Sequence, residues 1–182
     1  MAKSFTSSAT LLDGLRQDIL WLLILIYAHR ERAVLPTLRT MSYEALALEL
    51  VLLESATRDI IARLTALDDD GKGLRSFQSA FSAMKREGLE PERTRSIDKT
   101  VKSYRQLVNG LKVGHRNTYI AHVKEIAEVT PRIVDNPVEF TASASLAVNL
   151  LDEMIGKQVP YMFRIGSAMP PIDLREKLAG SP

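Results

Sequence analysis

Cysteine is absent from this chain of 182 residues, and its absence removes two kinds of chemistry. No disulfide can form and no thiolate nucleophile is available, so a metal site would need histidine and carboxylate ligands. A reducing cytoplasm fits this composition, and we expect a cytoplasmic protein. The length suits one domain with a substantial core better than two full domains.

Long apolar runs are missing as well. The nearest approach is the stretch 19–28, ten apolar residues bounded by Asp18 and His29, whereas a membrane-spanning helix needs roughly 18 or more. Acidic Asp13 and Asp18 precede this stretch and no clear cleavage site follows it, so it does not resemble a secretory signal. We expect no membrane segment. A helix that is apolar on all sides indicates burial in a core or against a second subunit.

Strand alternation and internal repeats are also lacking, and the hydrophobic spacing predicts an all-α bundle of four to five main helices. The first helix is expected over about 8–30, the second from an N-cap at Ser42 to about 67, and the third over about 74–86. The fourth helix is expected from about Arg95, and the fifth from an N-cap at Asn136 to about 157. Residues 1–163 would form a single domain. Residues 164–182 would form a tail with a possible short helix over 173–178, packing loosely or contacting a partner.

Two of these helices carry a clear apolar stripe. In the second helix it comprises Tyr43, Leu46, Leu50, Leu53, Ile60, Ile61, Leu64 and Leu67, after which a polar turn over 68–73 ends the helix. In the fourth helix the apolar side comprises Ile97, Val101, Tyr104, Leu107, Val108 and Leu111. A basic side lies opposite and comprises Arg95, Lys99, Lys102 and Arg105.

Charge is unevenly distributed, although the formal net charge is only +2. Ten basic residues and four acids lie between Lys85 and Lys124, a local net charge of +6, which leaves −4 for the remaining chain. This asymmetry indicates either a polyanionic partner on one face or a solvated basic face without a partner.

Phosphate chemistry is indicated by the seven residues from Arg116 to His122. Histidine can donate or accept a proton near neutral pH, and arginine stays charged and can bind a phosphate through two nitrogens. Gly110 and Gly114 weaken the fourth helix just before this segment, so the sequence leaves open whether that helix continues through His122.

The spacing Arg116-Asn117, four residues, then His122 resembles the motif of HEPN domains, a superfamily of helical nucleotide-binding and ribonuclease domains. Upstream, residues 60–68 and 74–77 resemble the helix, acidic turn and helix of abortive-infection HEPN proteins. The resemblance covers roughly residues 10–160.

This resemblance implies a homodimer in which both subunits face a shared cleft and cut RNA without a metal or other cofactor. His122 would transfer protons and Arg116 would contact the phosphate, while Asn117 would orient one of them or bind a phosphate oxygen. Further substrate contacts are expected from His115, Tyr119, Lys99, Lys102 and Arg105. The protein would be a toxin or phage-defence effector, with an antitoxin or nucleotidyltransferase as a possible partner.

Several alternatives remain open from the residues themselves. Six residues of ideal helix separate Arg116 and His122 by about 120°, so the helix breaks, the long arginine swings round, or a second subunit completes the site. The same side chains could instead cap a helix or pair with acids. His115, His122 and Glu125 could bind a metal with help from another helix. The chain could also be a non-catalytic helical-bundle dimer that binds RNA, nucleotide or protein.

Overall fold

The computed structural model describes residues 6–71, 73–113, 138–167 and 169–180, and most of these residues are helical. They form α1 (Ser8–Ala33), a 3₁₀ helix (Pro36–Arg39), α2 (Tyr43–Ala66), α3 (Phe77–Arg86), α4 (Pro91–Leu111), α5 (Thr141–Ile155) and α6 (Leu174–Ala179). Within these ranges the sole sheet pairs β1 (Met162–Phe163) with β2 (Ile172–Asp173) in antiparallel register. The predicted all-α helical bundle is confirmed.

Helix α1 lies at the centre of the bundle, where α2, α3, α5 and α6 pack against it. Its buried residues are Leu15, Ile19, Leu22, Leu23 and Ile26. Of the two alternatives predicted for the stretch 19–28, burial in the core holds for Ile19, Leu22, Leu23 and Ile26, whereas Trp21 is 48% exposed. None of the described helices combines the length and the apolar character that crossing a membrane requires.

Serine side chains fix the start of three helices. The hydroxyl of Ser7 accepts the N–H of Thr10 at 3.3 Å, that of Ser42 accepts the N–H of Ala45 at 3.3 Å, and that of Ser76 accepts the N–H of Ser79 at 3.2 Å. Each bond satisfies a backbone donor that has no partner inside its helix. The N-cap predicted at Ser42 is confirmed, and α3 begins after Ser76, later than the predicted Leu74.

Two predicted helix starts are wrong. Helix α4 begins at Pro91 and not near Arg95, because proline suits the first helical position, where its missing N–H costs nothing. Helix α5 begins at Thr141, and the expected cap residues Asn136 and Pro137 lie outside the described residues. The carboxylate of Glu139, two residues before α5, accepts the Thr141 N–H at 2.6 Å and so satisfies a backbone donor at the start of the helix.

The C-terminal helix α6 belongs to the same core as the other helices. Leu174 and Leu178 are buried there, and the Arg175 guanidinium pairs with the Asp152 carboxylate of α5 at 2.6 Å. A short helix is therefore present close to the predicted position, but the loose packing expected of the tail does not hold at α6. The division into a domain over 1–163 and a tail over 164–182 stays a prediction.

Candidate nucleic-acid interface on helix α4

The residues predicted to act in RNA cleavage fall into two groups. Arg116, Asn117, Tyr119, His122 and the neighbouring His115 lie in the range 114–137, outside the described residues. Lys99, Lys102 and Arg105, predicted to contact the substrate, lie on α4 and are described. The geometry of the candidate site is therefore that of α4, the helix that leads towards the motif.

Helix α4 has the two-sided character that its sequence predicts. Ile97, Val101, Tyr104 and Val108 are buried, and the four basic residues Arg95, Lys99, Lys102 and Arg105 are exposed. Leu107 departs from the prediction, since 40% of it is exposed. It lies on the edge of the apolar stripe, where an ideal helical wheel does not decide whether a neighbouring helix reaches the side chain.

A buried carboxylate anchors the C-terminal end of α4. Asp68 is only 1% exposed and accepts hydrogen bonds from Arg105 Nε at 3.1 and 3.2 Å and from Lys112 Nζ at 3.0 Å. Gln78 on α3 donates a further hydrogen bond to it at 3.2 Å. Because a buried charge is costly unless it is paired and hydrogen-bonded, this cluster holds α2, α3 and α4 together at one end of the bundle.

The burial of Asp68 was not predicted from the sequence, in which residues 68–73 were interpreted as a polar turn that ends the second helix. That turn is present, since the Asp68 N–H donates to the Thr65 carbonyl at 3.3 Å. Its position also continues the buried face of α2, four residues after Leu64 and seven after Ile61, which is where an acid needs a cationic partner. This spacing is the signal that could have identified it.

A second polar contact joins α2 to α4 near the Asp68 cluster. The fully buried Tyr104 hydroxyl donates to the Leu64 carbonyl at 2.7 Å. Burial, with a smaller contribution from the negative charge of Asp68, raises the pKa of Tyr104 well above its usual value. The phenol is therefore a hydrogen-bond donor at neutral pH and has a structural role.

The remaining basic residues of α4 differ in how far their charge is compensated. Lys102 pairs with Asp98 one turn earlier at 2.5 Å, and Arg93 donates to the carbonyls of Glu153 and Met154 at the C-terminal end of α5. Within the described ranges, Arg95 and Lys99 make no ion pair. Of the three predicted substrate contacts, Lys99 thus has the least compensated charge, and Lys102 and Arg105 are held by acids.

The structural role of His29 was not predicted from the sequence. Its Nε2 lies 3.1 Å from the Thr57 hydroxyl, and its ring packs edge-on against Phe140 with 5.7 Å between centroids. Burial first, and then the charge of Arg30, lower its pKa below 6.5, so the ring is neutral at pH 7. The contacts indicate a half-buried structural histidine that joins α1 to α2 and to the start of α5.

No group of three or more histidine, aspartate or glutamate side chains in the described part of the chain could hold a metal ion. The alternative metal site of His115, His122 and Glu125 lies in the range 114–137, outside that part.

Comparison with known protein families, curated proteins and solved structures finds no match to this chain. The HEPN resemblance therefore depends on the Arg116 to His122 spacing and its helical context, and it stays a prediction.

Proposed function

We propose that this protein is a metal-independent endoribonuclease of the HEPN type that acts as a toxin or phage-defence effector. The observation that carries the proposal is the basic, amphipathic helix α4, which exposes Lys99 and Lys102 and leads into the Arg-Asn-x4-His motif. A helix of this kind can attract a phosphate backbone towards the residues that would act on it.

The chemistry needs only groups that the motif contains. The RNA 2′-hydroxyl attacks the adjacent phosphorus, the bond to the 5′-oxygen of the next nucleotide breaks, and a cyclic phosphate and a 5′-hydroxyl form. His122 would move the protons, a contribution of roughly 10²- to 10⁴-fold. Arg116 would stabilise the charge that develops on the phosphate, and Asn117 would orient one of these groups.

A homodimer is part of the proposal, because helical spacing alone does not bring Arg116 and His122 onto one face. In a shared cleft, each histidine could act with the arginine of the other subunit. The cytoplasmic location and an antitoxin or nucleotidyltransferase partner belong to the same proposal.

The decisive experiment incubates the purified protein with RNA in the presence of EDTA. We expect cleavage, and we expect both His122→Ala and Arg116→Ala to abolish it. Arg39→Ala is the matched control, because Arg39 is exposed on the 3₁₀ helix, before the N-terminal end of α2. Intact RNA, or cleavage that survives both motif substitutions in folded protein, would contradict the proposal. Loss of cleavage on adding the chelator would instead indicate a metal-dependent hydrolase.

The binding role of α4 has a separate test in the salt dependence of RNA affinity. Lys99→Ala should weaken binding and lower the slope of log affinity against log salt by about 0.7, the value for one contact to a single strand. Lys102→Ala should have a smaller effect, because Asp98 already compensates its charge. Unchanged slopes in both variants would show that α4 is a solvated face.

A second candidate is a non-catalytic helical-bundle dimer that binds RNA, nucleotide or protein. It is favoured by the contacts of Arg93, Arg105 and Lys112, which serve the fold through a helix end and the Asp68 carboxylate. RNA that is bound but left intact in the same assay would support this alternative.

A further inference from the structure

The outward side of α4 changes its character along the helix. The N-terminal half exposes basic side chains, and the C-terminal half exposes two amides and a glycine. At 100° per residue these positions lie within about 100° of one another, so they form one side of the helix. We call this surface the outer stripe and define it by its exposed residues Arg95, Lys99, Lys102, Gln106, Asn109 and Gly110.

Positive charge is concentrated in the N-terminal half of the outer stripe. Within the described ranges Arg95 and Lys99 make no ion pair, and Lys102 pairs with Asp98. The other acid of α4, Glu92, lies in its first turn. A phosphate backbone would therefore be attracted to this half of the stripe, and the neutral half would be left to contact other parts of a nucleotide.

Gln106 and Asn109 carry the groups of the outer stripe that can read a base. They lie three residues apart, which places their Cβ atoms about 5–6 Å from each other on neighbouring turns. Neither side chain makes a hydrogen bond within the described part of the chain. Each amide therefore offers a carbonyl acceptor and an amino donor, side by side, to an outside molecule.

Gly110 lies beside these amides, and the fold gives no reason for a glycine there. Its φ is not in the left-handed region, unlike that of Gly156, which caps α5. Apart from its own turn of helix, no described atom lies within 4 Å of the position that a Cβ would take. Alanine would fit and would favour the helix. A residue that weakens a helix without a packing reason is typical of a functional site, and glycine lets a ligand approach the backbone closely.

Adenine is the base that matches a side-chain amide on most of its edges. It presents an amino donor beside a ring-nitrogen acceptor on both its Hoogsteen and its Watson–Crick edge, and asparagine or glutamine can bind such a pair through two hydrogen bonds. Guanine, cytosine and uracil present an adjacent donor and acceptor on only one of these two edges. Both edges are accessible in single-stranded RNA, so the amides favour adenines of a single strand.

We propose that Gln106 and Asn109 form an adenine-reading subsite for single-stranded RNA whose phosphates lie along Lys99 and Lys102. Gly110 provides the gap through which the base approaches the helix. The inference rests on the proposed RNA-directed function and names the base that this function prefers.

Binding of short labelled homopolymers measures the preference. The experiment uses EDTA and the His122→Ala background, so that the RNA stays intact. A bidentate amide contact discriminates between bases by about fivefold or more, so two contacts should make oligoadenylate bind at least about 25-fold more tightly than oligocytidylate or oligouridylate. Gln106→Ala and Asn109→Ala should each lower this ratio by about fivefold. Circular dichroism checks that each variant is folded.

The salt dependence of binding separates base reading from charge. Because an amide is neutral, Gln106→Ala should leave the slope of log affinity against log salt unchanged, whereas Lys99→Ala should lower the slope and keep the adenine ratio. Gln17→Ala is the matched control, since Gln17 is an exposed amide on α1, and it should change neither quantity.

Gly110→Ala gives a readout that a purely structural glycine would not. It should raise Tm, because alanine favours the helix and has room, and it should still lower the adenine ratio. A stabilised variant that keeps the full adenine preference would exclude the gap at Gly110.

The outcomes distinguish this subsite from the proposed nuclease. Equal affinity for the homopolymers, or an adenine preference that survives both amide substitutions, would overturn the subsite and leave the nuclease possible. An adenine preference that depends on Gln106 and Asn109, in a wild-type protein that leaves RNA intact, would support the subsite and contradict the cleavage. Absence of RNA binding would overturn both.

Discussion

Replacing Asp68 by alanine should test the buried ion cluster that joins α2, α3 and α4. The substitution removes the carboxylate that accepts from Arg105, Lys112 and Gln78, and it leaves two positive charges facing each other without an acid between them. Asp70 is a poor substitute, because its carboxylate lies 3.7 Å from the Arg105 guanidinium and its side chain is 79% exposed.

The expected loss follows from how deeply each partner is buried. Breaking a fully buried ion pair costs about 3–5 kcal/mol, mostly because the remaining charge loses its partner without regaining water. Here the side chains of Arg105 and Lys112 are 47% and 22% exposed, so both cations can recover part of their hydration. We therefore expect Asp68→Ala to lower the free energy of unfolding by about 2–3 kcal/mol, and Tm by about 5–10 °C for a domain of this size.

Urea denaturation followed by circular dichroism measures this loss, and Asp98→Ala is the matched control. Asp98 also pairs with a lysine, but on the surface of α4 and one helical turn away, where such pairs contribute about 0.3–0.5 kcal/mol. A Lys112→Met substitution in the Asp68→Ala background should cost less than in the wild type, because its partner is already gone.

An Asp68→Ala variant that is no less stable than Asp98→Ala would contradict a stabilising role of the buried cluster. Additive effects of Asp68→Ala and Lys112→Met would contradict it as well, since residues in direct contact should show coupling.

Three further predictions concern single buried or strained positions. Tyr104→Phe should lower the free energy of unfolding by about 1–2 kcal/mol, because it loses the hydrogen bond to the Leu64 carbonyl. Tyr161→Phe should be neutral or slightly stabilising, because the buried Tyr161 hydroxyl has no hydrogen-bond partner among the described residues. Equal losses of stability in urea denaturation would contradict this difference. The folded-state pKa of His29 is lowered from 6.5, so its contribution is present above that pH and is lost as the pH falls towards the folded pKa. The stability advantage of the wild type over His29→Phe should therefore shrink on acidification, and a constant difference would exclude the effect. Gly156→Ala should lower stability by about 1 kcal/mol, because the residue caps α5 at φ +81°; an unchanged Tm would count against strain there.

Local sequence patterns predicted the helices because capping and amphipathic spacing act within a few residues. Ser42 was identified as an N-cap and Ile97, Val101, Tyr104 and Val108 as the buried side of α4, as the structure has them. The start of α4 was predicted four residues too late, near Arg95, although Pro91 suits a first helical position. The motif from Arg116 to His122 stays a prediction from the sequence, since it lies outside the described residues.

Which members of an apolar stripe become buried depended on the neighbouring helices. Tyr43 and Leu107 belong to the apolar stripes of α2 and α4, yet Tyr43 is 84% and Leu107 40% exposed because no described helix covers them. Asp68 shows the converse, a charged residue that is 1% exposed. Periodicity defines a face, but not how far along the helix a partner extends.

The sequence by itself determined the helical class, the apolar character of the stretch 19–28 and the basic side of α4, because each follows from the order of residues along a helix. Only the tertiary structure decided which charges remain uncompensated. Arg105 and Lys112 meet an acid about 40 residues earlier in the chain, and Arg93 meets carbonyls about 60 residues later, through contacts that helix packing creates. Charges interact through space, so a count of charges along the chain does not predict which basic residues have a partner in the folded protein.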